Sequence, residues 1–197
     1  MRAELLAFGL LWSVACQSAP PPRPADALAP VPVRSAAEVQ GDFQWQQTVT
    51  VEYRGAEPRS FDAVLAKEGE VLKLLGITPL GTVLFQAEAV GTEVSFDNHT
   101  GQSLPFDGTH ILRDVQRAFF PWVEGPFDEA GVRSARWGDT LVTERQGDGF
   151  VAERVFESPD ERMVVRFDAP VGEGPSPRVV LDNVRTGYRL EVETYIE

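Results

Sequence analysis

The chain has 197 residues, of which 18 are basic and 30 acidic, for a net charge of −12. That length fits a single domain able to bury a sizeable core. The negative charge repels polyanions and argues against a nucleic-acid-binding role or a surface that grips anionic headgroups.

The first elements in the chain are targeting segments. Residues 1–15 read as a signal peptide: Met1-Arg2 gives a positive start, and an apolar run from 5 to 14 is broken only by Gly9 and Ser13. About ten apolar residues cannot span a bilayer, which takes about 20, but they suit the h-region of an export signal. The run ends Ser13-Val14-Ala15-Cys16, and Cys16 is the only cysteine. A cysteine after a small residue at that point resembles the bacterial lipobox, in which the cysteine becomes the acylated first residue of the mature protein. The alternative is an ordinary secretory signal cleaved near Ala19. An unpaired thiol is a liability in an oxidising compartment, and lipidation of Cys16, palmitate included, accounts for its presence. Gln17 in place of Asp after the cysteine points to the outer membrane, with the domain facing the periplasm. Residues 16–40 are rich in proline and alanine, favour extended polyproline II and are expected to be a tether. The folded domain is expected over 41–197.

Residues 42–54 alternate: Phe43, Trp45, Val49, Val51 and Tyr53 share one side, and Gln44, Gln46, Thr48, Thr50 and Glu52 the other. A period of two predicts a strand with one buried and one wet face. Residues 60–67 continue the pattern, with Phe61, Ala63 and Leu65 inward. The strands over 71–77 and 82–90 differ. Leu72 and Leu74 oppose Val71, Leu75 and Ile77, and Val83, Phe85, Ala87 and Ala89 oppose Leu84 and Val90, so both faces are expected to need cover. A further strand is expected over 92–97.

Asp107 or Thr109 caps a helix that Pro121 ends. Ile111, Leu112, Val115, Ala118 and Phe119 form its apolar stripe, which leaves Arg113, Asp114, Gln116 and Arg117 for a wet face. Arg113 and Arg117, one turn apart, are also placed to grip a phosphate or carboxylate. Five more strands are expected over 136–145, 149–157, 162–169, 176–184 and 188–196. About ten strands and one main helix predict a mainly β fold whose sheet must close, stack or curl around the helix to protect its edges. No close-spaced metal-ligand pattern, nucleophile elbow or Gly-rich phosphate loop appears, and His99 and His110 lack converging partners. No catalytic residue, metal or cofactor is assigned.

The segments LLGITPLGTVLFQ (74–86), ILRDVQRAFFPW (111–122) and VVLDNVRTGYRLEVET (179–194) resemble a group of bacterial lipoproteins known only as a domain of unknown function. The resemblance implies a fold similar to the lipoprotein carrier and acceptor proteins LolA and LolB: an antiparallel open half β-barrel whose helices lie across a cavity for acyl chains. Leu74, Leu84, Phe85, Leu112, Phe119, Phe120 and Trp122 are the candidate lining of such a pocket, against the plain alternative that they are core. The function this implies is a non-catalytic, membrane-anchored envelope lipoprotein that binds or transfers a lipid or lipoprotein. The alternative is an accessory envelope lipoprotein, its barrel filled by its own side chains, that docks another protein.

Overall fold

The computed structural model describes residues 31–102, 106–172 and 174–195. The expected signal peptide, Cys16 and most of the tether lie outside them. Eleven strands form one antiparallel sheet: β1 (Phe43–Tyr53), β2 (Arg59–Glu68), β3 (Val71–Ile77), β4 (Val83–Val90), β5 (Glu93–Asn98), β6 (Val132–Trp137), β7 (Thr140–Gln146), β8 (Val151–Glu157), β9 (Arg162–Phe167), β10 (Arg178–Asn183) and β11 (Tyr188–Tyr195). Their order is β5-β4-β3-β2-β1-β11-β10-β9-β8-β7-β6, so two meanders join where β1 pairs with β11 and the sheet stays open between β5 and β6. The single α-helix among the described residues, α1 (Gly108–Phe119), lies between those two edge strands in the chain. The architecture is the mainly β, open antiparallel form expected.

The alternation in the sequence decides which face is which. Leu65, Leu72, Phe85, Val142, Phe156, Val165, Val179 and Leu181 are buried on the inner face. Register carries apolar rows across it: Leu65 opposes Leu74 and Trp45, and Leu181 opposes Leu190 and Val165. The outer face is a lattice of polar pairs. Thr48 Oγ1 donates to Asp62 at 3.0 Å, and Arg166 and Arg178 reach Asp182 and Glu191 at 2.7 Å each. Cross-strand pairs of this kind stabilise the wet side of an antiparallel sheet.

Four expectations need correction. β3 and β4 are covered on one face only: Leu72, Leu74, Phe85, Ala87 and Ala89 are buried, whereas Leu75 and Ile77 are half-buried and Val90 is exposed. Lys73 and Glu88, 3.2 Å apart, stand among the apolar residues of that outer face and keep it wet. The strand expected over 136–145 is a hairpin, β6–β7, turned at Gly138 with φ +58°. Only a residue free to adopt positive φ makes so short a turn without strain. Tyr53 is exposed, because β2 runs out opposite Val51 and leaves Tyr53 paired with β11 alone. Finally, packing begins well before residue 41. Val31, Val33 and Ala36 belong to the core, and Ala36–Glu38 form a 3-10 turn capped by the Ser35 hydroxyl. Residues 31–39 are therefore a strap inside the fold and not a tether.

Gly76 sits where β3 meets the Phe85 ring. A Cβ there would lie 2.5 Å from Phe85 Cε1. Gly76→Ala is expected to lower unfolding free energy by about 1–3 kcal/mol, the usual cost of overpacking. An unchanged urea midpoint would contradict this packing.

Candidate functional site

α1 covers the inner face, and the sequence fixes both its ends. Asp107 is the N-cap, its carboxylate accepting from the His110 backbone N–H at 3.0 Å, which satisfies one of the free donors of the first turn. At the other end Arg154 Nη1 donates to the Arg117 carbonyl at 2.6 Å, a cation placed where the helix dipole is negative. The Phe120 backbone N–H closes the last turn on the Gln116 carbonyl, which also accepts from Trp122 Nε1 at 2.8 Å.

Most of the expected wet face of α1 is buried, alongside Leu112 and Ala118 of the apolar stripe. Arg113, Gln116 and Arg117 are buried, while Ile111, Val115 and Phe119 from the apolar stripe are only partly so. The helix is enclosed on two sides: one side packs on β4 and β5, and the other meets a cluster of charges beneath the β8–β10 half of the sheet.

That cluster is continuous. Glu144, fully buried, accepts from Arg154 Nε at 2.6 Å and Arg133 Nε at 2.7 Å. Arg117 bridges Glu161 and, at 3.2 Å, Asp114; Tyr188 donates its hydroxyl to Asp114, and Asn183 donates to Glu161 at 3.1 Å. Burial pushes the Asp114 carboxyl up, opposed by Arg117 and the Tyr188 hydroxyl. Burial and the Asp114 carboxylate both push Tyr188 up, so the phenol keeps its proton and remains a donor. Burial disfavours the Arg117 cation, but Asp114 and Glu161 outweigh it and raise its pKa. Arg117 Nε is buried with no hydrogen-bond partner among the described residues, and the guanidinium lies 5.3 Å from the Phe156 ring, an attraction that offsets part of that cost.

The seven candidate lining residues belong to or pack against one hydrophobic core, at different places in it. Phe85 belongs to a cluster with Phe61 at 5.5 Å and Phe96 at 5.9 Å. Phe119 packs on Trp45 at 5.3 Å, and Trp45 stacks on Phe43 at 3.9 Å. These three half-buried rings make a ledge beside the C-terminal end of α1. Trp122 lies on the far side, edge-on to Trp137 and Phe156. Leu74, Phe85, Leu112, Phe120 and Trp122 are no more than 5% exposed, and Leu84 is partly buried against the core. The ledge partners Phe43 and Trp45 read in the sequence only as the inward side of a strand.

Two hollows lie on the sheet, each bordered by charged side chains. One of about 470 Å³ is bordered by Glu52, Arg166, Asp182 and Arg189, and one of about 270 Å³ by Thr50, Glu52 and Glu191. None of the seven candidates lines either. Among the described residues no cluster of three or more His, Cys, Asp or Glu is arranged to hold a metal ion, and no helix is long and apolar enough to cross a membrane.

Removing one member of a buried charge group strands the others, at a cost of about 3–5 kcal/mol. Glu144→Ala, which leaves Arg133 and Arg154 without their shared partner, is expected to destabilise the fold by that amount in denaturant titration. A loss under about 1 kcal/mol would show that the cluster does not hold α1.

Among curated proteins none matches. A LolA superfamily protein from Nitrosomonas europaea is similar in structure at 11% identity and a TM-score of 0.46, over 83% of this chain and 87% of that one. A putative outer membrane lipoprotein-sorting protein domain from Vibrio parahaemolyticus is similar at 14% identity and a TM-score of 0.44, over 79% and 84%. The family model described as "Protein of unknown function (DUF3261)" matches residues 44–195, nearly the span over which the sequence resembled a lipoprotein family of unknown function, and the chain belongs to that family.

Proposed function

We propose that this protein is a lipid-anchored component of the bacterial cell envelope, held by Cys16 to the outer membrane and facing the periplasm. It is non-catalytic and binds the acyl chains of a lipid or lipoprotein between the sheet and α1. The observation that carries the reading is the cover of the inner face. Much of the cover on the apolar side of the sheet is one helix and a strap, neither of which pairs with a strand. The half-buried ledge of Phe43, Trp45 and Phe119 offers an apolar entry beside the helix.

Magnitudes permit it. A buried CH₂ contributes about 0.8 kcal/mol, so a dozen supply on the order of 10 kcal/mol. Displacing Val31 and Val33 costs roughly 1.5–3 kcal/mol for each valine.

A second reading rests on a specific observation: the candidate lining is already packed by the protein's own side chains. On that reading the protein is an accessory lipoprotein that docks another envelope protein. Titration with cis-parinaric acid separates the two. Acyl binding gives saturable one-to-one fluorescence, weakened roughly tenfold, or about 1.4 kcal/mol, by Phe119→Ala. Absence of saturable binding, with ligand-free protein in native mass spectrometry, supports the packed accessory protein instead. For the anchor, Cys16→Ser is expected to abolish incorporation of labelled palmitate in cells, and equal labelling of the variant would contradict it.

A further inference from the structure

Residues 31–35 enter the interior without helix or strand structure and lead into the turn at Ala36, with Val31, Val33 and Ala36 buried and Pro32 exposed. None of them pairs in the sheet. What holds them is aimed at their backbone. Gln116, fully buried on α1, accepts from the Arg34 backbone N–H at 2.8 Å and donates to the Arg34 carbonyl at 2.7 Å. Arg113 Nε donates to the Val31 carbonyl at 2.8 Å. A side-chain amide that satisfies both backbone groups of one residue recognises an extended chain whatever its side chains are. Seats for alternate residues then supply selectivity, the pattern by which folded domains take strand-like peptides.

Two features add to this. The Arg34 guanidinium lies 4.9 Å from the centre of the Trp122 ring and 4.6 Å from that of Trp137, so the groove has a place for a cation two aromatics wide. The segment joins the sheet at Gly41, φ +75°, whose carbonyl accepts from the buried Lys67 Nζ at 2.7 Å. It therefore has a defined pivot, and leaving the groove breaks no strand pairing.

We propose that the channel between α1 and the sheet is a polypeptide-binding groove. It holds the chain's own residues 31–36 in cis. In trans it takes an extended segment with small apolar residues two apart followed by a basic residue. This goes beyond acyl binding and does not depend on it.

The test uses a fluorescein-labelled peptide of residues 30–38 and the purified protein. In the Val31→Asp/Val33→Asp variant, whose own strap is expelled, fluorescence anisotropy is expected to show saturable binding at least tenfold tighter than to the wild type. Adding Gln116→Leu is expected to weaken it at least tenfold. No binding to a variant with native circular dichroism, or binding indifferent to Gln116→Leu, would overturn the proposal. Should the double variant not fold, the wild type decides. Excess peptide is expected to speed hydrogen exchange at the Arg34 amide, and unchanged exchange overturns the groove. A parallel arm with cis-parinaric acid keeps the two readings apart. Parinarate binding without peptide binding overturns the groove alone, and peptide binding without parinarate binding supports the groove and counts against the acyl reading.

Discussion

A helix of twelve residues has to cover the inner face of an eleven-stranded sheet that does not close on itself. Neither side of that mismatch is adjustable. The sheet is apolar inside because its strands alternate, and the connection from β5 to β6 supplies α1 with Phe120, Trp122 and Val123 just after it. The helix must therefore be held at one position over the face, and its contacts follow from that need. Leu112 faces apolar strands, and Asp107 caps the first turn. Arg154 and Tyr188 rise from the sheet to grip the Arg117 carbonyl and the Asp114 side chain. The strap of residues 31–39 fills space the helix leaves.

Burying Glu144, Arg154 and Arg117 is costly, and buried ion pairs are often no better for stability than apolar residues of the same volume. Their effect here is positional. An apolar contact tolerates sliding, whereas a carboxylate held by two arginines, with one of them bonded to a helix carbonyl, fixes one register between α1 and β7–β8. The interior is thus divided. On the β7–β10 side the helix is pinned by charge. On the β4–β5 side it rests on apolar contact, and the ledge of Phe43, Trp45 and Phe119 lies beside its C-terminal end.

Much of the strand framework was legible because period-two alternation is a direct imprint of burial. The helix was legible from Asp107, the stripe beginning at Ile111, and Pro121. What escaped has identifiable causes. The β6–β7 hairpin turns on Gly138-Asp139, two residues between Trp137 and Thr140, and so brief a break lets its two arms read as one strand. The strap lay hidden under composition: Pro30, Pro32 and the prolines before them mark an extended chain, but extended backbone is also what a groove binds. Val31 and Val33 were the available signal. The buried polar face of α1 was illegible, because periodicity weighs only apolar residues. Nothing in the order Arg113-Asp114-Val115-Gln116-Arg117 says that Glu144, Glu161 and Tyr188, far along the chain, will meet them. The seven pocket candidates were chosen as large and apolar, which identifies burial but not which residues share a space.

Function rests on whether the apolar half beneath α1 admits an occupant other than the protein itself. Photo-crosslinking of the purified protein with a diazirine-bearing fatty acid, followed by peptide mapping, addresses this directly. If the inner face is the acyl site, adducts fall on α1 around Leu112 and Phe119 and on β3 and β4 around Leu74 and Phe85, and excess unlabelled fatty acid suppresses them. Adducts confined to the outer face, or none that competitor removes, would contradict acyl binding inside this fold.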